Sequence, residues 1–220
     1  MGDLNLAELL PKVIGVYVPF LFALCFHEYA HGWVAKKKGD NTAEMMGRLT
    51  MNPVAHADIV GTVFLPIMGL MSGWAMFGWA KPVPVNPTNL KNPKDDMFWI
   101  ALAGPASNLL LAILGSIALV TMDKMTFSPE AMATAKTVAD GLFIFIFINI
   151  LLCFFNLIPL HPLDGGKILA RFLPHEANRW LEDNSMTLNI ILIGAFILGG
   201  FTYLAQFAHG VMRLIFSFLT

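Results

Sequence analysis

Six long apolar runs separated by short polar linkers dominate the chain: 9–35, 59–79, 98–122, 138–157, 188–205 and the shorter 206–219. A helix crosses a bilayer with roughly 20 apolar residues, so most of these runs are long enough to span. Pro11 suits the first turn of the first run, and Pro19 is a point of bending. The second run carries four glycines and Pro66, which fits either an irregular span or a re-entrant hairpin. The last run reads as an interfacial helix or the return half of a hairpin. Only 43–53 looks different: its short alternation and closing Asn52-Pro53 suit a small strand pair and turn. The expected fold is therefore an all-α polytopic membrane protein with five to six membrane segments, 59–79 being a span or a re-entrant segment, and a small strand pair. It reads as one integral membrane domain over 1–220, with a core over 9–170 and C-terminal membrane segments over 188–219.

Composition supports this class. Of 220 residues, 56% are hydrophobic and 13% charged, with a mean hydropathy of +0.65; a soluble domain is nearer one quarter charged. The net charge of −1 gives no reason to expect a nucleic-acid partner. Cys25 and Cys153 lie in apolar runs without metal-type spacing and read as buried thiols. The first run has no small-residue cleavage site and is expected to be retained as a membrane element. Basic residues set the direction. Linker 36–58 holds four Lys or Arg, 80–97 three, 123–137 two, and 159–187 three. The positive-inside rule then puts Lys36-Lys37-Lys38 and 80–97 in the cytoplasm, 123–137 outside, 159–187 inside, and the N-terminus outside. Linkers 36–58 and 80–97 share a side only if 59–79 enters and leaves by the same face.

Chemistry enters with His27-Glu28-Tyr29-Ala30-His31, an HExxH sequence closing the first run. Positions i and i+4 share a helix face, so both imidazoles can reach one zinc ion, and Glu28 beside them can take a proton from water. Between 9 and 26 the one charged residue is Lys12, and ionisable groups in such surroundings point to function within a membrane. A catalytic zinc usually takes three protein ligands. The following helices offer no glutamate, and Lys37 stands where a nearby third histidine would be needed. Asp164, after the fourth run and before Gly165-Gly166, is the best candidate; capping a short helix is its other reading.

Taken in order, several segments make a specific set. They are His27 to Gly32, Gly47-Arg48-Leu49-Thr50-Met51-Asn52-Pro53 with His56, Gly78 to Pro87, Ala103-Gly104-Pro105-Ala106-Ser107-Asn108, and Asn156-Leu157-Ile158-Pro159 followed by Leu163-Asp164-Gly165-Gly166. Together they resemble the site-2 protease family of intramembrane zinc metallopeptidases, in its compact prokaryotic form without a PDZ domain. The resemblance implies a prokaryotic cell-membrane enzyme that cleaves transmembrane protein substrates near the cytoplasmic side. It implies one zinc ion per chain, held by His27, His31 and Asp164, with Glu28 as catalytic base. His161 departs from the pattern of many relatives, which carry proline or another apolar residue there.

Other polar residues in the runs have two readings each. Asn108 is a candidate oxyanion or substrate-aligning donor, or an interhelical hydrogen bond. His56 is a candidate donor near the site, or an interfacial histidine. Asn149 reads as interhelical glue, Asn156 as a partner for broken-helix backbone, and His175 and His209 as loop or interfacial residues. Trp74, Trp79, Trp99 and Trp180 suit headgroup depth. Membrane lipid is an expected partner, and nothing identifies an oligomeric one. The competing class is a non-hydrolytic metal transporter or metal-binding scaffold, against which the chain shows no inverted halves.

Overall fold

Proline, asparagine and glycine decide where the apolar runs become helix and where they break. The computed structural model describes residues 13–72 and 78–220; Pro11 and the start of the first run lie outside these. A π-helical turn, Val13–Tyr17, leads without a break into α1 (Val18–Lys37), with Pro19 just past the change of helix type. Two single-turn helices follow, α2 (Thr42–Met45) and α3 (Pro53–His56). A π-helical stretch, Ile59–Phe64, continues into α4 (Leu65–Ser72). An extended strap then leads through a short 3₁₀ turn, Pro87–Asn89, to α5 (Pro93–Asp123). α6 (Pro129–Asn156) begins at Ser128, whose side chain accepts from the Ala131 N–H. The chain closes with α7 (Asp164–Ala170), α8 (His175–Asp183), α9 (Ser185–Ala195), a π-helical stretch Phe196–Gly200, and α10 (Phe201–Leu219).

Among the described residues three helices are long and apolar enough to cross a membrane: Val13–Lys37, Pro93–Asp123 and Pro129–Asn156. The described residues thus supply three of the five to six expected membrane segments, or four if the bent pair Ser185–Ala195 and Leu198–Leu219 is one broken span. Gly199 breaks that pair. Its φ of 107° lies in the left-handed region, and the axes meet at 63°. Counting apolar residues could not foresee this break. The second run yields only a short apolar helix, Ile59–Gly69, and residues 73–77 lie outside the described part, so its re-entrant reading stays an expectation. The strand pair expected over 43–53 is absent among the described residues. Asn52 accepts from the Val54 N–H at 3.1 Å and Pro53 fills the first helical position, so the Asn-Pro signal starts a helical turn here rather than ending a strand.

The spans pack as an antiparallel set. Ala35 clusters with Leu90 and Ile100 at one end, while Phe20, Ala23 and Leu24 meet Ile148 and Leu152 further along. On the other side of α6, Ile146 and Ile150 pack against Ala112, Ala208 and Met212. Lys38 Nζ pairs with Asp96 Oδ1 at 3.0 Å, and Arg171 pairs with Asp95. These ion pairs tie the end of α1, the start of α5 and the end of α7 together at one end of the bundle. Within the packed interior Asn108 and Asn149 are fully buried and joined, Asn108 Nδ2 donating to Asn149 Oδ1 at 2.9 Å.

Candidate metal centre

His27 and His31 lie one helical turn apart on the buried face of α1. α5 crosses this face closely. A Cβ at Gly104 would stand 2.4 Å from His31 Nε2 and 2.5 Å from His27 Cε1, so only glycine leaves room for the imidazole pair. Each ring is oriented through its Nδ1. His27 Nδ1 meets Asn108 Oδ1 at 2.7 Å, and His31 Nδ1 meets the Ile100 carbonyl at 2.6 Å. Both partners are acceptors, so each Nδ1 carries the proton and each Nε2 presents its lone pair.

The third group arrives from far along the chain. α6 ends at Asn156, and Pro159 and Pro162 prevent its continuation. The returning loop is tight: a Cβ at Gly165 would stand 2.3 Å from the Ile158 carbonyl oxygen. Asp164 occupies the first position of α7, and the capping residue before it, Leu163, makes no side-chain bond. The capping reading of Asp164 therefore gives way to another placement. Its Oδ2 lies 3.1 Å from His27 Nε2 and 3.1 Å from His31 Nε2, and the two nitrogens are 3.0 Å apart.

Among the described residues these three side chains form a buried group whose ligand atoms all lie within 4.8 Å of one another. A tetrahedral zinc ion with bonds of about 2.0–2.1 Å separates its ligand atoms by about 3.3 Å. The triangle of 3.0 to 3.1 Å edges fits that demand with little adjustment. Two neutral imidazoles and one carboxylate are also a donor set suited to zinc.

Glu28 is buried beside the group, and its Oε2 accepts the Val83 N–H at 2.8 Å. Asn108 lies behind His27 rather than on the open side of the triangle. Its Oδ1 holds His27, and its amide donates to the Ala23 carbonyl at 3.2 Å and to Asn149. His56 stands apart from the ligand group: its Nε2 bonds the Thr50 carbonyl at 2.7 Å, and its own carbonyl receives the Lys81 N–H at 2.8 Å. His161 lines a cavity of about 470 Å³ with Lys94, Lys167, Arg171 and His175. Asn149 and Asn156 donate to carbonyls one turn back on their own helix, Phe145 and Leu152. His175 is exposed, and His209 bonds the Ala205 carbonyl.

Sequence reasoning missed Ile100, whose contribution is a backbone carbonyl, and Val83, whose contribution is a backbone N–H. No side-chain pattern announces either. Gly104 belongs to the Ala103–Asn108 motif, but its role as the gap that admits the histidines follows from the helix crossing.

The chain belongs to peptidase family M50, whose family profile matches residues 15–138 and 124–201. This is the site-2 protease family that the motifs resemble. Among its relatives, "Putative zinc metalloprotease YwhC" of Bacillus subtilis is 40% identical over 168 residues, covering 76% of this chain and 71% of that protein. "Putative zinc metalloprotease Rip2" of Mycolicibacterium smegmatis is 27% identical over 172 residues, covering 76% of this chain and 62% of its own length. "Putative zinc metalloprotease Rip3" of Mycobacterium tuberculosis is 30% identical over 183 residues, covering 77% of this chain and 37% of its own length. No solved structure gives a significant match.

Proposed function

We propose that the chain is a zinc-dependent intramembrane endopeptidase that cleaves transmembrane protein substrates, with its core over 9–170. The observation that carries this reading is the buried His27–His31–Asp164 triangle, with Glu28 on the same helix. One zinc ion per chain, bound through the two Nε2 atoms and the Asp164 carboxylate, would supply Lewis acidity and activation of water at neutral pH. Glu28 accepts the proton that water gives up as it attacks the scissile carbonyl, then returns it to the leaving amine. Oε2 is anchored by Val83, so Oε1 is the oxygen free to work.

Asn108 acts through His27, fixing its ring, and His56 supports the turn at Thr50; neither is assigned to the oxyanion. The substrate helix must unwind locally, because an intact helix hides its carbonyls in i→i−4 bonds. The test is cleavage of a membrane-spanning peptide by purified protein in vesicles. Glu28→Gln is expected to lower turnover by at least about a thousandfold, on the order of a missing catalytic base and more, while keeping one zinc per chain. Turnover by that variant at the wild-type rate sinks the assignment of Glu28.

A further inference from the structure

The Gly47–Pro53 segment and His56 are prominent in the sequence, yet they provide no ligand. What they do provide is a grip on the extended strap over 78–86, the segment that reaches Glu28. The Trp79 N–H donates to the Gly61 carbonyl at 3.1 Å, and Thr62 Oγ1 donates to the Trp79 carbonyl at 2.8 Å. The Lys81 N–H donates to the His56 carbonyl at 2.8 Å. Arg48 Nη2 donates to two successive strap carbonyls, Lys81 at 2.7 Å and Pro82 at 3.2 Å. The next residue is Val83, whose N–H holds Glu28 Oε2 at 2.8 Å. Beyond it, the Asn86 N–H donates to Asp40 Oδ2 at 2.7 Å.

Pro82 and Pro84 flank Val83 and have no N–H of their own. The Val83 N–H is therefore the single donor in this stretch, and its place depends on where the carbonyls just before it are pinned. Arg48 Nε is buried without a partner among the described residues, so its hold on the strap falls to Nη2. Nη2 carries two N–H bonds, so this one nitrogen can serve both carbonyls. Val83 also packs on α1, its Cγ1 lying 3.1 Å from where a Cβ on Gly32 would stand.

We infer that Arg48 is a positioning residue for catalysis: it fixes the strap so that the Val83 N–H fixes the general base, Glu28. The inference rests on the reading of Glu28 as the base. A misplaced base costs rate without disturbing the ligands, since a shift of about 1 Å is enough to lose on the order of a hundredfold.

The experiment compares wild type, Arg48→Ala, Arg48→Lys and Val83→Pro, each purified whole, with Glu28→Gln as control. Arg48→Ala is expected to lower kcat at least tenfold, with KM within threefold of wild type and zinc still at one per chain. Hydrogen exchange should rise across 79–86 and stay unchanged in the centre of α1. Arg48→Lys should recover part of the lost kcat. Val83→Pro, which removes the donated N–H and leaves Arg48 in place, should reproduce the loss; it decides the matter if Arg48→Ala does not fold. Wild-type kcat in Arg48→Ala or Val83→Pro overturns the inference, and so does loss of zinc in step with kcat. If Glu28→Gln is inactive while these variants match wild type, only this inference falls. If Glu28→Gln cleaves normally, the underlying reading falls with it.

Discussion

At the scale of single residues, the site depends as much on a missing side chain as on the ligands. Gly104 is the point where α5 passes the two imidazoles, and a methyl group there would overlap both rings. Overpacking a tight interior typically costs about 1–3 kcal/mol, and here the strain falls directly on the ligand atoms. Gly104→Ala should therefore retain helical content but bind zinc at least about 10–100-fold more weakly, the range seen when support for metal ligands is lost. Metal analysis after dialysis against a weak chelator, with circular dichroism alongside, reads both outcomes; full zinc retention would mean that α5 can shift away without cost. The members of the candidate group were legible: HExxH pointed to two of them, and an aspartate after a proline-broken helix to the third. Their tautomers were not, because the atoms that orient them include the Ile100 carbonyl, which every residue type could offer.

At the scale of elements, the loop after α1 is organised by one buried carboxylate. Asp40 is fully shielded, and it accepts from Thr42 through both its N–H and its hydroxyl, from the Asn86 N–H, and from Asn89 Nδ2 at 2.8 Å. Burial by itself would raise the Asp40 carboxyl, but these hydrogen bonds together hold it below its ordinary value. A carboxyl lowered on folding adds stability above its unfolded pKa of about 3.9, and that stability is lost as pH falls through this value towards the folded one. Asp40→Asn should thus lower stability by about 1–3 kcal/mol at neutral pH, in the range for bonds to a charged group. The gap between variant and wild type should close as the pH drops below about 4. Denaturation in mild detergent at pH 7 and pH 3.5 measures this; a gap independent of pH would show that the charge is not what matters. The apolar runs are helical over most of their described residues, as expected, and the proline break after the fourth run was legible, whereas two other signals were not. Gly199 and Asn52-Pro53 act through backbone geometry that hydropathy does not register.

At the scale of the whole molecule, the antiparallel packing puts the end of α1, the start of α5, and the loop carrying Asp164 at one end of the bundle, with Lys124 at the other. Ion pairs Lys38–Asp96 and Arg171–Asp95 join the first end, and α5, at 31 residues, is long enough to carry Lys124 across a core of about 30 Å. Large apolar side chains such as Phe22, Leu110, Leu114 and Ile117 stand exposed on the outer faces of these helices, as a lipid-facing surface requires. We propose that the end bearing Lys36, Lys37 and Lys38 is cytoplasmic, because basic residues gather there. His31 precedes Lys36 by five residues, about 7.5 Å along a helix, so the metal centre lies shallow beneath that face and water need travel only a short polar path to reach it. The lysines can extend to headgroup depth while the histidines stay buried. Single cysteines introduced into a background lacking Cys25 and Cys153 test this in intact cells with a membrane-impermeant thiol reagent. A cysteine at Lys37 should react only after permeabilisation, and one at Lys124 should react before it. The opposite pattern would invert the molecule in the membrane, sending the substrate fragment to the other side while leaving the His27–His31–Asp164 geometry as it stands.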